Sequence, residues 1–175
     1  MKGAQMSQFL TNNREKLKEL IELLSEDYSY VSILGTDVVG KRFNVQKTGI
    51  SIEDSDWSER GFVLRVYNGI NYSEFSFNEI PEDLNKLVKS VNAIGQDDIN
   101  SFKNRSMKVC KLPIIEEKME NRTYFGEVEI LPSEVSSKEK VEKLIEIQRN
   151  AFNYCDKLID FRVSYQEVQV SKLFI

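Results

Sequence analysis

The chain has 175 residues, 24 Lys and Arg against 28 Asp and Glu, no histidine and two cysteines, for a net charge of −4. Its length suits one domain that buries roughly 70% of its unfolded surface, and mild acidity without a dense Lys/Arg run argues against a nucleic-acid platform. The missing histidine excludes Ser/His and Cys/His nucleophile pairs and any metal site built on imidazole.

The first predicted element is a helix ending near Leu24, where Leu17, Leu20, Ile21 and Leu24 recur at i, i+3, i+4, i+7 and Lys16, Lys18, Glu19 and Glu22 take the other side. Residues 28–34, β-branched and aromatic, read as a strand. Gly35 and Gly40 then predict a turn into a second strand over 42–46, and 49–53 reads as a third, closed by the polar loop Asp54-Ser55-Asp56. Residues 62–67, Asn68-Gly69 and residues 70–77 form the clearest hairpin. Asn-Gly suits a two-residue type I′ turn, which needs positive φ at both positions. Phe62, Leu64 and Val66 share one face, and Phe75 and Phe77 share a face of the returning strand.

Pro81-Glu82-Asp83 predicts a helix start, because proline and carboxylates suit a first turn. Leu84, Leu87, Val88 and Val91 give its stripe and Gly95 its expected end. Residues 96–122 read as an irregular connection, with polar runs at Gln96-Asp97-Asp98, Lys103-Asn104-Arg105 and Glu116-Glu117-Lys118. Residues 124–130 alternate like an edge strand that Pro132 ends. Ser136 with Glu139 forms a capping box ahead of a stripe through Val141, Leu144, Ile145, Gln148 and Phe152. Residues 158–165 and 168–175 read as two closing strands. The chain stops inside an apolar strand, as a natural terminus or a strand cut short of its following turn would, and the expectation taken from it is a piece of a longer protein. The fold class is thus α+β, a single domain over 1–175 with mainly antiparallel sheet and helices packed on one face, divided into 1–95, the connection 96–122, and 123–175.

Candidate chemistry is sparse. Gly35-Thr36-Asp37-Val38-Val39-Gly40-Lys41 approaches a phosphate-binding loop, but Arg42 replaces the hydroxyl residue that would ligate magnesium, and a strand follows where a helix is needed. A plain turn is the expectation there. Glu53, Asp54, Asp56 and Glu59 resemble the opening of a calcium loop without its central glycine or closing glutamate, and read as a solvated loop. Trp57 is expected to fold from that loop onto the hairpin. Cys110 and Cys155 lack metal-ligand spacing and read as reduced core or semi-buried thiols. No carboxylate pair has a spacing that demands chemistry. Sequons at Asn71, Asn104 and Asn121 read as chance matches, and with no apolar leader at the N-terminus the expected compartment is cytoplasmic.

The stretch from about Tyr28 to Ile94, with Glu59-Arg60-Gly61-Phe62-Val63-Leu64-Arg65-Val66-Tyr67-Asn68-Gly69 and the segment from Asn78 to Val91 behind it, resembles the N-terminal domain of the TldD/PmbA family, metallopeptidases once described as modulators of DNA gyrase. Gly61, Arg65 and Gly69 fall where the family pattern has them, as structural or groove-lining positions, whereas Val63 and Tyr72 stand at family glycines. Residues 123–175 resemble the family's continuation. The resemblance implies a two-part parent whose zinc site, a helical HExxxH motif with a further ligand, lies in the C-terminal part. This chain would then wall the cleft, support a homo- or heterodimer and help hold a peptide substrate, with no catalytic, cofactor or metal residue of its own. The alternatives are a free-standing α+β binding or assembly module and a small enzyme that uses carboxylates alone.

Overall fold

The computed structural model describes residues 6–103, 110–116 and 122–175. In chain order it has α1 (Gln8–Leu24), β1 (Val31–Gln46), β2 (Gly49–Asp54), β3 (Glu59–Tyr67), β4 (Tyr72–Phe77), α2 (Leu84–Lys103), a short 3₁₀ turn (Pro132–Glu134), α3 (Ser137–Tyr154) and β5 (Val163–Phe174). The class is α+β with antiparallel β1–β2 and β3–β4 pairs, as expected; the sheet runs β2-β1-β3-β4, and β5 also pairs with β1. No described helix is long and apolar enough to cross a membrane. The chain folds as two compact units interleaved in sequence: Val38–Glu59 with Tyr124–Val170, and Met6–Asp37 with Arg60–Thr123 and Ser171–Ile175.

The second of these, here the helical unit, holds most of the core. Ser7 caps α1, its Oγ accepting from the Leu10 amide at 3.2 Å. Leu10, Leu17, Leu20 and Leu24 of α1 pack with Ile33, Phe62, Leu64, Val66, Leu84, Val91 and Leu173. Each such burial contributes roughly 1.5–3 kcal/mol. Ile33 and Ile175 exchange both backbone hydrogen bonds, at 2.8 and 3.0 Å, which ties the end of β5 to the start of β1. Asp37 is nearly buried, and Arg60 neutralises it through Nε at 2.9 Å while lying 4.7 Å from the centre of the Phe9 ring.

The other unit has a smaller core of Phe43, Val45 and Leu144, with Val141, Ile145 and Val163 against it. Its α3 starts at the predicted capping box: the Ser136 Oγ accepts from the Glu139 amide at 3.2 Å, and the Ser136 amide and hydroxyl donate to the Glu139 carboxylate at 3.0 and 2.7 Å. Lys140 is buried behind it. Its ammonium donates to the Pro132 carbonyl at 2.6 Å, pairs with Glu167 at 2.7 Å and lies 5.5 Å over the Phe43 ring.

Four expectations are corrected, three of them through glycines or strand ends. No turn interrupts β1 at Gly35 and Gly40: the strand runs unbroken for 16 residues, and neither glycine has positive φ. These glycines permit close approach instead. A Cβ at Gly35 would meet Leu10 Cδ2 at 2.8 Å, and one at Gly40 would meet the Glu167 carbonyl oxygen at 2.3 Å. Gly95 does not end α2, which continues to Lys103; Gly95 makes room for the Tyr28 hydroxyl, 2.6 Å from where a Cβ would be. The closing segment forms one strand, β5, because it pairs with β1, in place of two. Residues 124–130 form no strand, and only part of the irregular connection is described: α2 covers its start, residues 110–116 are neither helix nor strand, and Asn104, Arg105, Glu117 and Lys118 lie outside the described residues.

Two predictions follow from this packing. Gly40→Ala forces backbone against backbone, so urea unfolding should show a loss of about 1–3 kcal/mol, whereas Gly126→Ala, with nothing within 4 Å of its added Cβ, should change stability by about 0.5 kcal/mol or less. The Ser136 hydrogen bonds hold the Glu139 carboxyl below its ordinary 4.5. A depressed folded value means that the cap's contribution is present above 4.5 and is lost as pH falls through the folded value. An NMR titration should therefore place the Glu139 midpoint below 4.5 and return it toward 4.5 in Ser136→Ala; an unmoved midpoint would contradict the cap.

Candidate functional site

Two surfaces, one in each unit, gather functional side chains. On the β1–β2 hairpin an open groove of about 380 Å³ is lined by Arg42, Asn44, Gln46, Thr48, Gly49, Ile50, Ser51, Glu53 and Arg162. Asn44 organises it. Nearly buried, it donates from Nδ2 to Ser51 Oγ at 3.2 Å, while its Oδ1 accepts from Arg162 Nη2 at 2.9 Å and from Ser164 Oγ at 2.7 Å. Arg42 is paired with Asp56. On β5, partial burial raises the Tyr165 hydroxyl above its ordinary 10, helped by its hydrogen bond to Glu167 and the negative charge there. The groove is thus lined mostly by polar side chains, with Arg42 paired to Asp56 and Arg162 bonded to Asn44.

The second surface is on the β3–β4 hairpin. Tyr67 and Tyr72 face each other in register, their ring centroids 5.1 Å apart, and Tyr30 meets Tyr72 edge-on at 5.5 Å. The loop between them has four residues, because Tyr67 pairs with Tyr72 and not with a residue nearer Gly69. This corrects the expected two-residue turn. Asn68 has no positive φ; its side-chain oxygen accepts from the Ile70 and Asn71 amides, both at 3.0 Å, and only Gly69, at φ +89°, takes the left-handed region. Residues 110–116 lie along this surface. The Leu112 amide donates to the Ile70 carbonyl at 2.8 Å. The Tyr67 hydroxyl donates to the Leu112 carbonyl at 2.8 Å. The Tyr72 hydroxyl donates to the Pro113 carbonyl at 3.1 Å and accepts from the Ile115 amide at 2.6 Å.

Of the three family-pattern positions, two border this second surface. Arg65 bonds its cross-strand partner Glu74 at 2.5 and 2.8 Å and lies 6.0 Å from the centre of the Tyr72 ring. The hydrogen bond to Glu74 raises its already high pKa further. Gly69 shapes the loop that presents the Ile70 carbonyl. Gly61 is four residues from Arg65, roughly 13 Å along a strand, and a Cβ there would meet Asn78 Oδ1 at 2.6 Å. Sequence reasoning missed Tyr67, Tyr72 and Asn44. The predicted two-residue turn set Tyr67 opposite Ile70, so the Tyr67–Tyr72 pairing emerges only with the four-residue loop; nothing in the sequence distinguishes Asn44.

The remaining motifs do not converge. The phosphate-loop look-alike is strand, and the expected turn there is absent. Ser55, buried in the acidic loop, accepts from Gln166 Nε2 at 2.6 Å and donates its amide to the Gly40 carbonyl at 3.0 Å, so this loop is built around a serine and holds no acidic cage. Trp57 is 70% exposed and does not fold onto the hairpin. Cys155 is semi-buried as expected, whereas Cys110 is exposed. The zinc implied by the family resemblance does not fit here: there is no histidine, and no group of three or more Cys, Asp or Glu converges among the described residues.

Solved structures share this fold. A protein of Bacteroides thetaiotaomicron described as a "putative modulator of DNA gyrase" matches with a TM-score of 0.64 at 12% identity, over 94% of this chain and 36% of its own. A Thermotoga maritima protein with the same description matches with 0.63 at 15% identity, over 93% of this chain and 34% of its own. TldE of Thermococcus kodakarensis matches with 0.50 at 14% identity, over 91% and 36%. The chain therefore spans about a third of the length of the structures it matches. No protein-family profile matches it, and no curated protein is similar by sequence. The solved structures carrying the fold bear the names that the resemblance of residues 59–69 and 123–175 implies, and at these identities the shared property is the fold.

Replacing Asn44 tests the groove's construction. Asn44→Ala strands the Arg162 and Ser164 donors, and urea unfolding should show a loss of about 1–3 kcal/mol. Asn44→Asp keeps an acceptor for both and should recover part of it. Equal stability of Asn44→Ala and wild type would rule out the hub role.

Proposed function

We propose that residues 1–175 form a single, non-catalytic domain of a TldD/PmbA-like metal-dependent peptidase, which walls the substrate cleft while another part of the parent holds the metal. One observation carries this reading: more than nine-tenths of the chain takes a fold that fills only about a third of each matching structure. A chain without histidine is compatible with that division of labour, since a helical HExxxH site needs imidazoles on one helix face. Zinc belongs to the parent in this reading, and no chemical step runs through the residues here. The likeness to TldE supports partnership with a like subunit, as a homo- or heterodimer. The domain's own work is to position an extended peptide, for which antiparallel strands and hairpin edges are suited. The compartment in this reading is the cytoplasm.

The test is the product of the full reading frame that encodes this chain. It should hydrolyse a pool of unstructured peptides, a chelator should abolish the activity, and zinc should restore it, while residues 1–175 alone should cleave nothing. A full-length product that is inert with zinc present, or cleavage by residues 1–175 alone, would overturn the proposal in favour of a free-standing module or a carboxylate enzyme.

A further inference from the structure

The contact between residues 110–116 and the β3–β4 hairpin inverts the usual docking of a loop. An apolar segment normally packs through its side chains. Here Leu112, Ile114 and Ile115 remain 48%, 40% and 38% exposed. What the hairpin binds is the main chain: the Leu112 amide and carbonyl, the Pro113 carbonyl and the Ile115 amide each have a partner on Ile70, Tyr67 or Tyr72. Tyrosine suits this, because its hydroxyl can donate and accept at once while its ring stays packed. Tyr72 does both. Arg65, held by Glu74, lies 6.0 Å from the centre of the Tyr72 ring. Pro113 has no amide to satisfy, and proline biases Leu112 toward extended backbone.

We infer that Tyr67, Tyr72 and the Ile70 carbonyl form a binding site for the main chain of an extended, proline-containing peptide, and that residues 110–116 are its tethered occupant. Recognition runs through backbone groups, so the site tolerates varied side chains. A tethered segment acts at an effective concentration in the millimolar range, so a free peptide binds well only when residues 110–116 undock. The inference concerns binding and not hydrolysis, and it stands or falls independently of the peptidase reading.

The probe is a fluorescein-labelled hexapeptide with the sequence of residues 111–116, Lys-Leu-Pro-Ile-Ile-Glu, followed by fluorescence anisotropy with the whole chain. Leu112→Pro and Ile115→Pro each remove one main-chain donor from the tethered segment. Losing one such hydrogen bond weakens the occupant about fivefold, so each variant should bind the probe about fivefold more tightly than wild type. Adding Tyr67→Phe and Tyr72→Phe to the Leu112→Pro chain keeps the rings but should return binding to wild-type level or below. A single cooperative urea transition identifies variants that fold. Where such a folded variant releases the segment without gaining affinity, or where the phenylalanine pair leaves affinity unchanged, the site does not exist as stated.

Discussion

The close passage of Gly40 against the Glu167 carbonyl is the constraint on which the arrangement of strands rests. With no side chain at position 40, β1 and β5 approach to a distance that a methyl group would forbid. The Gly40 carbonyl then accepts the Ser55 amide, and the buried Ser55 hydroxyl takes a hydrogen bond from Gln166. The Glu167 side chain also pairs with Lys140, whose ammonium lies over the Phe43 ring. One glycine thus connects strand pairing, loop shape and a buried ion pair. Such a pair adds little net stability over an apolar one, but breaking it would leave a charge stranded.

The two units use their sequence differently. The helical unit relies on a broad apolar core under α1 and α2, with a buried Asp37 paired to Arg60 at one place and, at the hairpin tip, Tyr67 and Tyr72 meeting a main chain. The other unit has a core cluster of three buried apolar residues, Phe43, Val45 and Leu144, and a polar lattice through Asn44, Lys140 and Ser55. Polar lattices fix geometry more strictly than they stabilise, because each member left without its partner is costly. That suits surfaces whose task is to hold something in register.

Much of the fold was legible because it depends on local periodicity. The leucine stripe of α1, the capping box of α3 and the alternating phenylalanines of the hairpin each express a single element's geometry, so they can be read from neighbouring residues. The glycines could not be read that way. Gly35, Gly40 and Gly95 carry the same local signal as a turn or a helix end, and only the nearby Leu10, Glu167 and Tyr28 reveal that they serve close packing. The hairpin loop failed for a related reason: the Asn68 side chain competes for the Ile70 and Asn71 amides and lengthens the turn. Among the site residues, Arg65 and Gly69 came from the family pattern, while the tyrosines they border needed the coordinates. The resemblance led to a glycine being expected at Tyr72, so that pattern pointed away from it.

The account's central claim is a division of labour in which this chain supplies shape and the rest of its parent supplies the metal. Metal content tests it most directly. Both the full-length product and residues 1–175 would be purified from zinc-supplemented medium, dialysed, and measured by inductively coupled plasma mass spectrometry. The account predicts stoichiometric zinc in the full-length product and none above background in residues 1–175. Stoichiometric zinc retained by residues 1–175, or none in the full-length product, would contradict it.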